Sequence, residues 1–376
     1  MSVRVCLAAN TVGYPQGGGH RWPYLNWALG LRAAGCRVVW LESLPEDQSL
    51  DEVRAAIDAL LADLRPFGLS GEVTFLSPRS GPAGQIEVPH LEAALDADLL
   101  LNLRYALPAD ALGRFARTAL LDIDPGLTQL WMSRGDIVPG PHDLYFTVGE
   151  NVGTEYARFP DCGVRWLYTP PCVALDAWPA APVSAGRYTT VSHWWPAPDE
   201  DWINFEGKWI ENSKREGFLD LLGVPARAEP ELELALGGIA DDPEELSSLR
   251  ARGWWVSDAW EVAGTASRYR EYVQRSRGEL SGAKPSTVLL QPGWISDRSV
   301  CYLASGKPVV VRHTGPSRFL RDGEGIFRFR DAGEAAASIA AVESDYERHC
   351  ARARELAEKH FDATNLATSL LERALA

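Results

Sequence analysis

Short strand-like runs rich in apolar and β-branched residues, several of them followed by a segment of helical period, recur along the whole chain. In the first half they fall at residues 4–9, 37–41, 72–76, 97–102, 118–122 and 144–148. In the second they fall at 188–193, 232–237, near 254–256, at 287–291 and at 307–312. A strand that is apolar on both faces belongs in a parallel sheet covered by helices on both sides. The predicted helices lie between the runs, at 22–34, 49–64, 213–222, 242–251, 266–276 and 299–305. Gly35 stands where the first should stop, and Ser213-x-x-Glu216 and Asp331-x-x-Glu334 are capping boxes. Residues 166–186 are rich in Pro and Ala and have no period, so they read as a linker between two α/β halves. The chain's 376 residues suit two cores of about 150–190 residues better than one. The expected division is 1–178, 187–345 and a helical tail at 346–376, broken near Phe361-Asp362.

Composition narrows the function. With 46% hydrophobic and 23% charged residues the chain is globular in type, and no run approaches the 18 apolar residues of a membrane span. The first ten residues read as a strand, not as a secretion signal. Six scattered cysteines without a C-x-x-C pair predict free thiols in a reducing cytoplasm. A net charge of -14 speaks against nucleic acid as a partner, though it leaves room for a small phosphorylated ligand.

Two stretches carry candidate chemistry. After the first strand, Gly17, Gly18 and Gly19 let backbone N–H groups approach a ligand at a helix amino end, where negative charge is favoured. Their spacing is neither a dinucleotide fingerprint nor a P-loop. His20 follows, either as a general base for an acceptor hydroxyl or as a loop histidine bonded to backbone. The second stretch runs from Gly293 through Trp294, Ser296, Asp297, Arg298 and Ser299 to Gly306 and Pro308. Ser296 or Asp297 suits an N-cap, and the N–H groups of 298–299 with Arg298 make a diphosphate cradle unless Arg298 merely pairs with an acid. The preceding loop is expected at the carboxyl end of the 287–291 strand, where open α/β sheets bind ligands. Asp124, in Asp122-x-Asp124-Pro125, is a second base candidate or a turn cap. Lys214 and Arg215 reach donor phosphates or form a solvated helix face. Trp194, Trp195, Trp202, Trp254 and Trp255 are stacking platforms or core.

The text Leu303-Ala-Ser-Gly306-Lys-Pro308-Val-Val with His313-Thr314-Gly315 resembles the donor-site segment of GT-B glycosyltransferases. Ser276-Arg277-Gly278-Glu279…Lys284 and Gly293-Trp294-Ile-Ser296-Asp297-Arg298 are similar to a bacterial group within that family. The resemblance implies two Rossmann-like domains across a cleft, an acceptor site on the first, a donor site on the second, and a tail helix crossing back. It also implies donor contacts at Glu279, Lys284, His313, Thr314 and Gly315. The family's ribose-binding glutamate falls on Cys301 here, so Asp297 or Glu279 replaces it or the nucleotide is held differently. The expected activity is transfer of a sugar, as a hexosyltransferase, from UDP- or TDP-sugar to a small molecule such as a natural product. Metal and cofactor are expected to be absent, and the chain to act as a monomer or homodimer. Inversion and retention both stay open. The alternatives are a nucleotide-sugar epimerase of the same fold and a catalytically silent nucleotide-binding partner protein.

Overall fold

The computed structural model describes residues 2–78, 84, 86–105, 107–182, 186–195 and 202–376. The first half forms a seven-stranded sheet in the order β3-β2-β1-β4-β5-β6-β7. Its strands are β1 (Arg4–Ala8), β2 (Arg37–Ser43), β3 (Val73–Leu76), β4 (Leu99–Asn102), β5 (Thr118–Asp122), β6 (Leu144–Thr147) and β7 (Trp166–Tyr168), all parallel. Helices α1 (Gly18–Ala33), α2 (Leu50–Leu64), α3 (Ala109–Leu112) and α4 (Leu127–Arg134) connect them. Every residue of β4 and β5 is buried, as the unbroken apolar runs require.

The second half forms a six-stranded parallel sheet, order β12-β11-β8-β13-β14-β15. It contains β8 (Tyr188–His193), an antiparallel hairpin of β9 (Trp202–Phe205) and β10 (Lys208–Glu211), then α5 (Lys214–Phe218) and β11 (Leu232–Gly237). Next come α6 (Pro243–Ala251), β12 (Trp255–Asp258), α7 (Ala259–Ala263), α8 (Ala266–Arg275), β13 (Gly278–Ser281), α9 (Pro285–Leu290) and α10 (Asp297–Ala304). The sheet ends with β14 (Val309–Arg312) and β15 (Ile326–Phe329). Three helices close the chain, α11 (Ala332–Ser344), α12 (Tyr346–His360) and α13 (Ala363–Ala374).

Both sheets reverse direction beside their first strand, between β1 and β4 and between β8 and β13. These are the topological switch points at which open sheets hold ligands. The fold class expected from the sequence, two Rossmann-like α/β layers in series, is the one observed.

Two expectations need correction. Residues 287–291 are not a strand: Pro285 starts the helix α9, and the strand before the loop that leads into α10 is β13. The stretch expected as linker contains β7, which extends the first sheet, and its residues 183–185 lie outside the described ones. Trp202 belongs to the β9–β10 hairpin, whose Ile203, Phe205 and Ile210 pack on Leu127, Leu130 and Trp131 of α4 and on Leu290.

The halves share one core. Val5, Leu7, Trp22 and Leu25 of the first join Tyr269, Val300, Tyr302 and Leu303 of the second in a single cluster, with Trp178 between them. The indole N–H of Trp22 donates to the Ala266 carbonyl at 2.9 Å. Glycines make this approach possible. A Cβ on Gly18 would lie 2.3 Å from the carbonyl oxygens of Ala263 and Thr265, and one on Gly30 would lie 2.5 Å from the Ala363 carbonyl. The tail does cross back, as the resemblance implies. The Val173 N–H donates to the Phe361 carbonyl at 2.7 Å, the Ala363 N–H returns to Val173 at 3.0 Å, and α13 lies along α1. On the far side the Asn151 N–H donates to the Pro292 carbonyl at 2.9 Å.

Candidate functional site

A cavity of about 420 Å³ opens between the halves at the carboxyl ends of both sheets. From the first half it is lined by the loop before α1 with Gly17, Gly18, Gly19 and His20, and by Ile123, Asp124 and Pro125 after β5. From the second it is lined by the ends of β8 and β11, by Lys214, Lys284 and Trp260, and by the loop that leads into α10. The β8/β13 switch point thus opens directly into it. The Tyr14 hydroxyl spans the gap and lies 3.2 Å from His193 Nδ1.

His20 sits in the first turn of α1, exposed to the cavity, with Nε2 2.7 Å from the Asn10 carbonyl oxygen. Only an N–H can satisfy a carbonyl, so the neutral ring carries its proton on Nε2 and its lone pair on Nδ1. Burial of the ring pushes its pKa below the usual value. Lys214 pushes the same way, while the Asn10 contact and Asp124 oppose. The backbone bond and the cavity position expected as alternatives for His20 therefore coexist.

Asp124 follows a turn built around Asp122. The buried Asp122 carboxylate accepts from Thr128 Oγ1 at 2.6 Å, Gln129 Nε2 at 2.8 Å, Thr147 Oγ1 at 2.8 Å and the Asp124 N–H at 3.0 Å. Asp124 is thereby aimed at the cavity while its neighbour does the structural work.

The opposite wall is cationic. A Cβ on Gly217 of α5 would lie 2.0 Å from the Ala283 carbonyl, and one on Gly282 would lie 2.5 Å from the Gly217 carbonyl. This close approach brings Lys214, the first residue of α5, and Lys284, the N-cap of α9, to one wall. Ser296 caps α10, accepting from the Arg298 N–H at 3.2 Å, and Asp297 enters the cavity from the first position of that helix. Burial, with Asp124 adding to it, pushes the Asp297 carboxyl up to about 7. Among the described residues no three His, Cys, Asp or Glu side chains gather as a metal site needs.

Other expected site residues are placed differently. Arg298 borders the cavity, and each nitrogen of its guanidinium has a partner inside the protein. Nε donates to Glu279 Oε1 at 2.6 Å, Nη1 to the Val191 carbonyl at 3.0 Å and Nη2 to Ser281 Oγ at 2.5 Å. Glu279 is 0% exposed and does not line the cavity, so it holds Arg298 and is no stand-in for a ribose ligand. Cys301 is equally enclosed, with Asn26 Nδ2 3.8 Å from its sulfur, on the face of α10 that meets α1. Its place in the fold is an interlobe contact. Arg215 turns away to Glu245 at 2.7 Å and does not line the cavity. Trp294 lines the main cavity and, with Ser299 and Thr314, a second, water-sized hollow, where Thr314 Oγ1 donates to the Trp294 carbonyl at 2.6 Å. His313 lies outside the main cavity, and Gly315 is pressed against Asn151. Gly18 and Gly19 reach the cavity, and their lack of a Cβ is what lets α1 meet the α7–α8 turn and Tyr269. The expected tryptophans divide: Trp194 and Trp254 are core, Trp255 stacks under Arg187, and Trp260, which sequence reasoning passed over, lines the cavity. No local pattern distinguished Trp260 from other tryptophans.

No protein-family model matches the sequence, and no curated protein matches it significantly. Solved structures do match it in shape. HepE of Anabaena, in complex with UDP-glucose, superposes with a TM-score of 0.57 at 13% identity, covering 98% of each chain. An alpha-glucosyltransferase in complex with UDP-glucose and DNA does so with a TM-score of 0.55 at 12% identity over 100% of both chains. AviGT4, a glycosyltransferase involved in Avilamycin A biosynthesis, gives 0.55 at 13% identity over 99% of this chain and 97% of that one. The protein has the fold of these glycosyltransferases, the GT-B arrangement of two Rossmann-like halves about a cleft.

Proposed function

We propose that the protein is a glycosyltransferase that moves a hexosyl group from a nucleoside diphosphate sugar, UDP- or TDP-linked, to a hydroxyl of a small acceptor. One observation carries this reading. The interlobe cavity sets two lysines from different elements, Lys214 and Lys284, against His20 and Asp124 on the other wall. The lysines suit a diphosphate, whose charge grows as the sugar leaves. His20, neutral with Nδ1 as acceptor, suits removal of the acceptor's proton. That UDP and UDP-glucose are bound by proteins of the same fold supports the choice of donor. The cavity is of the size that encloses a nucleotide-sized ligand. The acceptor hydroxyl enters beside His20, and the leaving diphosphate is stabilised without a metal ion.

A thermal-shift series with UDP-, TDP- and GDP-sugars, with and without chelator, tests the donor. Release of nucleoside diphosphate that depends on an added acceptor tests the transfer. A chelator-insensitive shift with a UDP- or TDP-sugar is expected, since a ligand that binds only the native state raises Tm with its occupancy. Absence of any shift across the series would end the donor assignment. Release of diphosphate without a glycosylated product would point to the epimerase or to hydrolysis. Binding without turnover would point to the silent partner.

A further inference from the structure

His20 keeps its place through a carbonyl, and the carbonyl keeps its place through a carboxylate on another strand. Glu42, in β2, is 0% exposed and accepts from four donor groups. The Thr11 N–H lies 3.0 and 2.9 Å from its two oxygens, and Thr11 Oγ1 donates to Oε1. The Val12 N–H reaches Oε2 at 3.3 Å, and the Trp40 indole N–H reaches Oε1 at 3.0 Å. Three of these partners can only donate, which favours the carboxylate, and their bonds oppose the upward push that burial gives the Glu42 pKa. Asn10, whose carbonyl holds His20 Nε2, is joined to Thr11 by one peptide bond. A second path runs through rings. Trp40 meets Tyr24 edge-on at 6.3 Å, and Tyr24 meets His20 edge-on at 5.6 Å. Both paths begin at Glu42 and end on one imidazole.

We propose that Glu42 is a positioning residue for His20. By clamping Thr11 and Val12 it fixes the Asn10 carbonyl that holds the ring in its Nε2–H tautomer and leaves Nδ1 as the proton acceptor. The significance for turnover rests on His20 being the base, as read above. A buried carboxylate at the end of β2 that served only to close a loop would need no connection to the cavity. Here the Thr11 contacts lead through the Asn10 carbonyl to His20, and the Trp40 contact leads through Tyr24 to the same ring.

The test reads His20 itself. In the full-length wild-type protein, imidazole ¹⁵N NMR is expected to show the Nε2–H tautomer dominant. Glu42→Gln puts an amide NH₂ against the Thr11 or Trp40 donors, and is expected to bring the two tautomers toward equal populations and to change the titration midpoint of His20. Lys214, Asp124 and Arg21 are the charged groups whose fields reach the ring, with Tyr14 and Tyr24 packed against it. All five are retained in the variant; the Glu42 charge goes with the clamp, so the tautomer ratio is the deciding readout, and Thr11→Val, which keeps that charge, separates the two. Acceptor-dependent kcat is expected to fall about a hundredfold, the effect of misplacing a reacting group by about 1 Å, with KM for the donor unchanged. If Glu42→Gln proves unfolded, Thr11→Val removes the hydroxyl donor alone and is read the same way. A folded variant whose His20 keeps its tautomer and midpoint overturns the proposal. If the tautomer shifts in Glu42→Gln while His20→Ala turns over normally, positioning stands and the assignment of His20 as base falls.

Discussion

A neutral imidazole has one lone pair to offer, and the Asn10 carbonyl decides which nitrogen of His20 carries it. Because burial lowers the folded pKa, the proton-accepting form is present from below the ordinary imidazole midpoint upward. Rate is therefore expected to be lost only as pH falls through that lowered value. His20→Ala should remove this limb of the kcat/KM profile and lower turnover about 10²–10⁴-fold at constant donor affinity. If Asp124→Asn does so instead, the aspartate is the base. Arg298 leads to a different expectation. Its partners are a buried carboxylate, a carbonyl and a hydroxyl, so Arg298→Ala leaves Glu279 charged and unpaired inside the protein. Removing one partner of a buried ion pair costs about 3–5 kcal/mol. Urea denaturation should show a loss of that order, and Glu279→Gln in the same background should restore part of it. An unchanged midpoint would mean that solvent reaches Glu279 in the variant.

At the scale of elements, the sequence displayed the strands whose residues are apolar on both faces and the helices with caps, and it hid the rest for identifiable reasons. Residues 287–290 are β-branched or apolar over a single turn, a length at which period cannot separate helix from strand. Pro285 at the first helical position was the available signal. The strand β13 was concealed because Glu279 looks out of place in a buried strand until Arg298 is beside it. His20, Asp124, Lys214 and Asp297 were visible as chemistry beside strand and helix ends, Lys284 only through the resemblance, and all five line one cavity. Arg215, Glu279 and Cys301 were equally visible, but their partners are distant in sequence and turn them elsewhere. The close approach of α5 to the turn after β13 yields a prediction of its own. Gly217→Ala forces the Ala283 carbonyl and α5 apart, and overpacking of this kind costs about 1–3 kcal/mol. Separating Lys214 from Lys284 should weaken UDP far more than uridine in calorimetric titration. An equal loss for both ligands would show that the lysines do not hold the diphosphate.

For the whole molecule, the cluster around Trp22, Trp178, Tyr269 and Tyr302 makes the halves one cooperative body. Burying a large apolar side chain contributes about 1.5–3 kcal/mol, and Trp22, which packs on Trp178 and donates to the Ala266 carbonyl, loses part of that when the halves part. Scanning calorimetry should therefore show one transition with equal calorimetric and van't Hoff enthalpies, and two resolved transitions would contradict the shared core. A further consequence concerns recombination. Proteins with weakly joined halves invite chimeras, in which the acceptor half of one relative is grafted on the donor half of another to change specificity. In this chain such a graft would have to carry along α1, the Trp178 segment and the α12–α13 tail as one inherited block. Gly18 and Gly30 tolerate no side chain against the partners they touch, so new acceptor preferences would be sought in the loops rather than by exchanging halves.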